Sequence, residues 1–214
     1  MKLVAISDTH GYYRKLKLPK GDILVHAGDI GDFHDSEALQ DFNLWLKDLP
    51  YKHKIVIAGN HDRFFYHTDT DKIKKMLTHC TYLENSGCTI KGVKFWGSPM
   101  TPRFMNWYFM ADRGMKIMEY WKEIPKDTQV LIIHGPPYGI LDYVTHTYGQ
   151  HSVGCEKLLE KIKEIKPKYN IFGHIHSQRG IVKPNKENPK TTFINASVMD
   201  EEYDVVNKPI VVEI

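Results

Sequence analysis

Ile23-Leu24-Val25-His26-Ala27-Gly28-Asp29-Ile30-Gly31-Asp32 is the stretch on which the fold turns. It begins as a short apolar run of strand length and stops at a glycine. Beyond the glycine it presents two carboxylates, Asp29 and Asp32. Four other apolar runs end the same way. Leu3–Ile6 runs into Ser7-Asp8-Thr9-His10, and Lys54–Ala58 into Gly59-Asn60-His61-Asp62. Gln129–Ile133 runs into His134-Gly135, and 169–172 into Gly173-His174-Ile175-His176. Each delivers a metal-ligand residue type where the backbone leaves a sheet. Asp29 reads as the shared ligand of a two-metal site, with the other four endings converging on it.

Between these endings the chain alternates strand and helix. Ser36 reads as the cap of a helix over 37–49, because Leu39, Phe42, Leu46 and Leu49 recur at helical spacing. Asp69 or Thr70 starts a short helix through Leu77. Residues 88–96 read as a hairpin about Lys91-Gly92. An aromatic loop follows over 97–109, then a helix over 112–122. After the fourth strand, a long loop leads to an amphipathic helix over 154–165, stopped before Pro167. Two or three strands close the chain, near 180–183, 191–195 and 209–213. There is no repeat, low-complexity tract or linker, so 1–214 reads as one domain. Helices alternate with strands early and strands dominate late, which suggests an α/β sandwich of two mixed sheets with helices on the outer faces. Ligands of such folds gather at the carboxyl ends of the strands, so the five endings belong on one rim.

Bulk properties narrow the function classes. The 214 residues are 42% hydrophobic and 26% charged, an ordinary globular balance. A net charge of +3 gives no strong nucleic-acid signal. The lysines of 156–168 alternate with acids and read as a solvated helix face. No apolar run approaches the length of a membrane-spanning helix. Met1-Lys2 leads directly into a strand too short for a signal-peptide core. Three cysteines, Cys80, Cys88 and Cys155, are odd in number and form no CxxC pair. They read as reduced thiols of a cytoplasmic protein.

Histidine is the informative excess, with twelve residues. If strand-like alternation continues past the sheet, Asp8 and His10 share a side, as do His174 and His176, and each pair can grip one ion. The donors are imidazole, carboxylate and one amide, with no thiolate. That set suits Mn²⁺, Fe, Zn²⁺, Co²⁺ or Ni²⁺ better than Mg²⁺ or Ca²⁺.

Together these motifs resemble those of the calcineurin-like binuclear metallophosphoesterases. Asn43-Leu44-Trp45-Leu46, Lys54–His61, His134-Gly135-Pro136-Pro137, Val153-Gly154-Cys155, Ile194–Ser197 and Pro209-Ile210-Val211 extend the likeness over nearly the whole chain. They are similar to the small metallophosphoesterase-domain proteins related to class III cyclic nucleotide phosphodiesterases. The resemblance implies a four-layer αββα sandwich and two divalent transition metal ions, with Mn²⁺ leading. It implies that Asp8, His10, Asp29 and His176 hold one metal, and that Asp29, Asn60, His134 and His174 hold the other. Some members of that subfamily carry glycine at the first histidine of Gly-His-x-His and are thought weak enzymes; this chain keeps His174.

The expected reaction is phosphodiester hydrolysis, on cyclic nucleotides or other small phosphate esters. Two ions about 3.5–4 Å apart can hold a bridging hydroxide for in-line attack on phosphorus. His61, beside a ligand, is the expected general acid. In related phosphatases the partner of that histidine lies three residues beyond the bridging aspartate, which is Asp32 here. The alternatives are a phosphomonoesterase or nuclease using the same site, or a non-catalytic scaffold. Asp62 reads as a structural hydrogen-bond acceptor and His26 as a core residue. His34, His53, His67, His79, His146 and His151 fit no ligand spacing. The loop over 96–109 can stack on a nucleotide base or plug the gap between sheets, and packing is favoured. Arg63, Arg103 and Tyr138 are weaker candidates for substrate contact.

Overall fold

Three strands formed by the first motifs run side by side and stop level with one another. They are β1 (Lys2–Ile6), β2 (Ile23–Ala27) and β3 (His53–Ile57), with α1 (Ser36–Asp48) connecting the last two. Ile6 is level with His26, and His26 with Val56, in parallel register. The three chains therefore leave the sheet at one edge. This computed structural model describes residues 1–33, 35–146 and 149–214.

After β3 come α2 (Arg63–Tyr66), α3 (Thr70–Met76), β4 (Thr81–Tyr82), β5 (Ser86–Ile90), β6 (Val93–Ser98), β7 (Thr101–Pro102), β8 (Met110–Ala111) and α4 (Met115–Lys122). The remainder is β9 (Val130–Ile133), β10 (Tyr143–His146), β11 (Gly149–Ser152), α5 (Glu156–Ile165), β12 (Tyr169–Phe172), β13 (Gly180–Val182), β14 (Thr192–Asn195) and β15 (Ile210–Glu213). One sheet has the order β15-β1-β2-β3-β4 and the other β13-β14-β12-β9-β6-β5. Both are mixed: β15 runs antiparallel to β1, β13 to β14 and β5 to β6, and the inner strands are parallel.

Alternation along each strand produces two apolar layers. Leu3, Ala5, Val25 and Ile55 pack with Val130, Ile132, Ile171 and Ile194 between the sheets. Val4, Leu24, Val56, Leu131, Ile133 and Phe172 turn outward into a cluster with Leu39, Phe42 and Leu46 of α1, Trp121 of α4, and Leu158 and Ile162 of α5. This is the expected four-layer αββα arrangement. Each large side chain buried here contributes about 1.5–3 kcal/mol.

Local chemistry moves several boundaries. Helix α1 is capped by Asp35, whose side chain accepts from the backbone N–H groups of Glu37 and Ala38, and Ser36 is already helical. A carboxylate facing the positive end of the helix outcompetes the neighbouring hydroxyl. Helix α4 begins at Met115, after Gly114 at φ +81°, which cannot continue a helix from 112. Lys91 and Gly92 both have positive φ, the two-residue turn that joins β5 to β6. The long loop after β9 contains the antiparallel pair β10 and β11, rich in polar residues and lacking an apolar signal. No described helix is long and apolar enough to cross a membrane.

Candidate metal centre

Four of the expected ligands sit in the left-handed region: Asp8 (φ 56°), His10 (40°), Asp29 (51°) and His174 (70°). Such backbone costs of order 1–3 kcal/mol per residue and persists where the surroundings enforce it. Two glycines show the enforcement. A Cβ on Gly59 would collide with the Asp29 carboxylate, and one on Gly173 with the Asp8 carboxylate. Hydrogen bonds tie the turns together: Asp8 N–H donates to Gly28 O at 2.9 Å, and Gly173 N–H to His134 O at 3.0 Å.

The side chains gather into two adjoining trios. Asp8, His10 and His176 form one, and Asp29, His134 and His174 the other, with the offered ligand atoms of each trio within 4.8 Å of one another. Asp29 also faces the first trio. Its Oδ2 is 3.2 Å from His134 Nε2 and 3.8 Å from His10 Nε2. Its Oδ1 accepts the His61 backbone N–H at 2.8 Å. Asn60 Oδ1 is 2.9 Å from His134 Nε2. All seven expected ligand residues are thus in one place.

The alternation argument, however, pairs His174 with His176, and the structure separates them. At φ 70° the backbone of His174 departs from the extended path, and the two rings enter different trios.

The donor chemistry fits a cation. His134 Nδ1 donates to Ala27 O at 2.9 Å, which leaves the Nε2 lone pair facing Asp29 Oδ2 and Asn60 Oδ1. His176 is tethered likewise, Nδ1 to Asp200 O at 2.8 Å, with Nε2 at 3.6 Å from Asp8 Oδ1 and 3.4 Å from His10 Nε2. Converging acceptors of this kind require a positive charge among them. Proton affinities agree. Burial depresses His134, but the Asp29 charge and hydrogen bond overcome it and lift its pKa to about 9. Burial likewise depresses His176, and Asp8 raises it to about 9. Burial lowers His10 and takes His174 to about 4, the latter with help from the His134 charge. Burial pushes Asp8 upward, yet the hydrogen bond and charge of His176 outweigh it and bring the carboxyl to about 2. Asp29 is held well below the usual carboxylate range, because the imidazole charges, His134 foremost, exceed its burial cost.

Asp62 is buried, as expected of a structural acceptor. It accepts from the backbone N–H groups of Gly59 at 2.7 Å, Ile30 at 3.0 Å and Gly31 at 3.1 Å. That fastens the turn carrying Asp29 to the turn carrying Asn60. Burial and the Asp29 charge push its carboxyl up to about 8 against those three donors. His26 is fully buried in the core. His67, His79 and His151 are exposed and His53 is half-buried; His34 lies outside the described residues.

His61 is at the rim. Its ring is 4.1 Å from the Trp107 ring and 4.9 Å from the His10 ring, centre to centre. Asp32 is exposed, just beyond the turn that carries Asp29.

A cavity of about 640 Å³ opens over the trios, with Asp29, Asn60, His61, His174 and His176 on its floor. Its apolar wall comes from Phe104, Met105 and Trp107 of the aromatic loop and Val144 and Val153 near β10 and β11. That loop divides its roles: Met100 and Phe109 are buried, whereas Phe104, Met105 and Trp107 are exposed. Arg103 is committed to Asp112 at 2.5 Å, and Arg113 to Glu156 at 2.8 Å and to two backbone carbonyls. Tyr203 is unexpected. It packs edge-on against His10 and His176 from a polar segment that carried no sequence signal.

The family model for calcineurin-like phosphoesterases matches residues 1–178. The chain belongs to the calcineurin-like phosphoesterase family. This calcineurin-like phosphoesterase is 37% identical to the human metallophosphoesterase domain-containing protein 1, over all of this chain and 71% of that one. A UPF0046 protein of Caenorhabditis elegans is 38% identical over 99% of this chain and 74% of its own length. Among solved structures, the Thermus thermophilus protein TT1561 superposes with a TM-score of 0.59 at 14% identity, covering 91% of this chain and 88% of that one, a likeness of fold. Membership carries metal-dependent phosphoester hydrolysis as the general activity, and the two trios supply the groups to hold a divalent metal pair.

Proposed function

We propose that residues 1–214 form one catalytic unit, a phosphodiesterase that requires two metals and acts on small phosphate diesters, cyclic nucleotides foremost. The observation that carries this reading is Asp29 Oδ2, which faces both trios on the floor of the cavity. Asp8, His10, Asp29 and His176 would hold one ion, and Asp29, Asn60, His134 and His174 the other. Mn²⁺ leads among Mn²⁺, Fe, Zn²⁺, Co²⁺ and Ni²⁺, given imidazole and carboxylate donors without thiolate. When bound, the pair supplies Lewis-acid activation of water and neutralises charge at the phosphoryl oxygens.

The chain's own residues do the rest. Water oxygen forms the new bond to phosphorus in line with the breaking P–O bond and gives up a proton to solvent, from which His61 is later reprotonated. His61 gives its ring proton to the leaving oxygen as that bond breaks. Asp32 is the carboxylate that the sequence spacing offers to this histidine. A diester suits a cavity whose two arginines are already paired and whose wall is apolar. The free thiols Cys80, Cys88 and Cys155 support a reducing compartment, and we place the protein in the cytoplasm.

The test is hydrolysis of bis(p-nitrophenyl) phosphate against p-nitrophenyl phosphate with Mn²⁺, extended to 2′,3′- and 3′,5′-cyclic nucleotides. The diester is expected to be the better substrate. Absence of diester turnover with every one of the five metals would overturn the proposal.

A further inference from the structure

We infer that Trp107 is a positioning residue of His61, holding the imidazole plane for proton donation to the leaving oxygen. This rests on the role of His61 proposed above. The two rings are 4.1 Å apart at an interplanar angle of 43°, and the His10 ring is a second neighbour, edge-on at 4.9 Å and 82°. His61 thus has two ring neighbours, and the nearer, Trp107, limits the rotation of the imidazole.

The loop bearing Trp107 is built for this. Tyr108 N–H donates to Asn60 O at 3.2 Å, which fastens the residue after Trp107 to the residue before His61. Thr101 N–H to Phe109 O at 2.9 Å and Arg103 N–H to Ala111 O at 2.8 Å close the base of the loop. Buried Phe109 anchors it. Trp107 itself remains 38% exposed and lines the cavity. An indole left partly in water contributes little as core, and its contact with His61 accounts for its placement.

Two readouts test the assignment. In the metal-free protein, the His61 ring protons should resonate upfield under the indole ring current, and Trp107→Leu should return them toward ordinary histidine values. In the Mn²⁺-loaded protein, the leaving group separates positioning from general damage. A p-nitrophenolate departs without a proton, whereas a ribose alkoxide needs one. Trp107→Leu should lower kcat for 2′,3′-cyclic AMP at least about tenfold more than for bis(p-nitrophenyl) phosphate, with Trp107→Phe restoring most of the difference. Equal losses on both substrates, or a change confined to KM, would overturn it. So would Asp32→Asn producing the selective loss where Trp107→Leu does not. If the wild-type protein hydrolyses neither ester, the proposed function fails and the donor role with it, while the His61 resonances still test the ring contact independently.

Discussion

Asp29 Oδ2 stands 3.2 Å from His134 Nε2, and the same oxygen is 3.8 Å from His10 in the neighbouring trio. Its other oxygen is fixed by the His61 backbone N–H. One carboxylate thereby links two ligand groups. Asp29→Asn should cut bound metal from two ions per chain toward one and lower turnover by about a thousandfold or more, since one charge-bearing oxygen is lost from both groups. Metal analysis by mass spectrometry and diester kinetics measure the two effects; full retention of both ions would contradict the link.

His61 contributes its backbone N–H to Asp29, and its ring to the cavity. His61→Ala keeps the first and deletes the second. Both metals should stay bound while kcat for an alkoxide-leaving substrate falls by about 10²–10⁴. Loss of metal from this variant would show the ring to be part of the ligand set.

Asp62 offers both oxygens to three backbone donors. Above about pH 8, where the Asp62 carboxyl is ionised, one oxygen in Asp62→Asn is replaced by an NH₂ group facing an N–H, leaving a buried donor without an acceptor. Stability should fall by about 1–3 kcal/mol in chemical denaturation. A change under about 0.5 kcal/mol would mean that the clamp is dispensable.

His26 Nε2 donates to Thr9 Oγ1 at 2.9 Å, because that hydroxyl already donates to Ile30 O at 2.8 Å. Nδ1 has no hydrogen-bond partner among the described residues. Burial holds the pKa at about 3, against 6.5 when unfolded. The unfolded chain therefore binds the proton first. Stability from the neutral ring is complete above pH 6.5 and is lost as pH falls from there toward 3. In the metal-free protein, His26→Gln should flatten the fall of the denaturation midpoint across that window; parallel curves for variant and wild type would contradict it.

The parallel strands and the five motif endings were legible because each apolar run is bounded by glycine or a charged turn. Register then levels the ends on one rim, and Asp8, Asp29, Asn60 and His134 follow from chain direction alone. What escaped depends on contacts made across the fold. Strands β10 and β11 lack an apolar alternation. Asp35 displaced Ser36 as a cap because a carboxylate in extended backbone reaches two N–H groups. His174 and His176 part company through one left-handed residue; strand alternation pairs them, and only the family resemblance sets them at different metals. Tyr203 and Trp107 reach the site from distant segments, and their role exists only in three dimensions.

The most direct measurement is electron paramagnetic resonance of the protein loaded with two equivalents of Mn²⁺. A shared Asp29 predicts an exchange-coupled pair, lost in Asp29→Asn. Two independent mononuclear signals in the wild-type protein would contradict the shared centre.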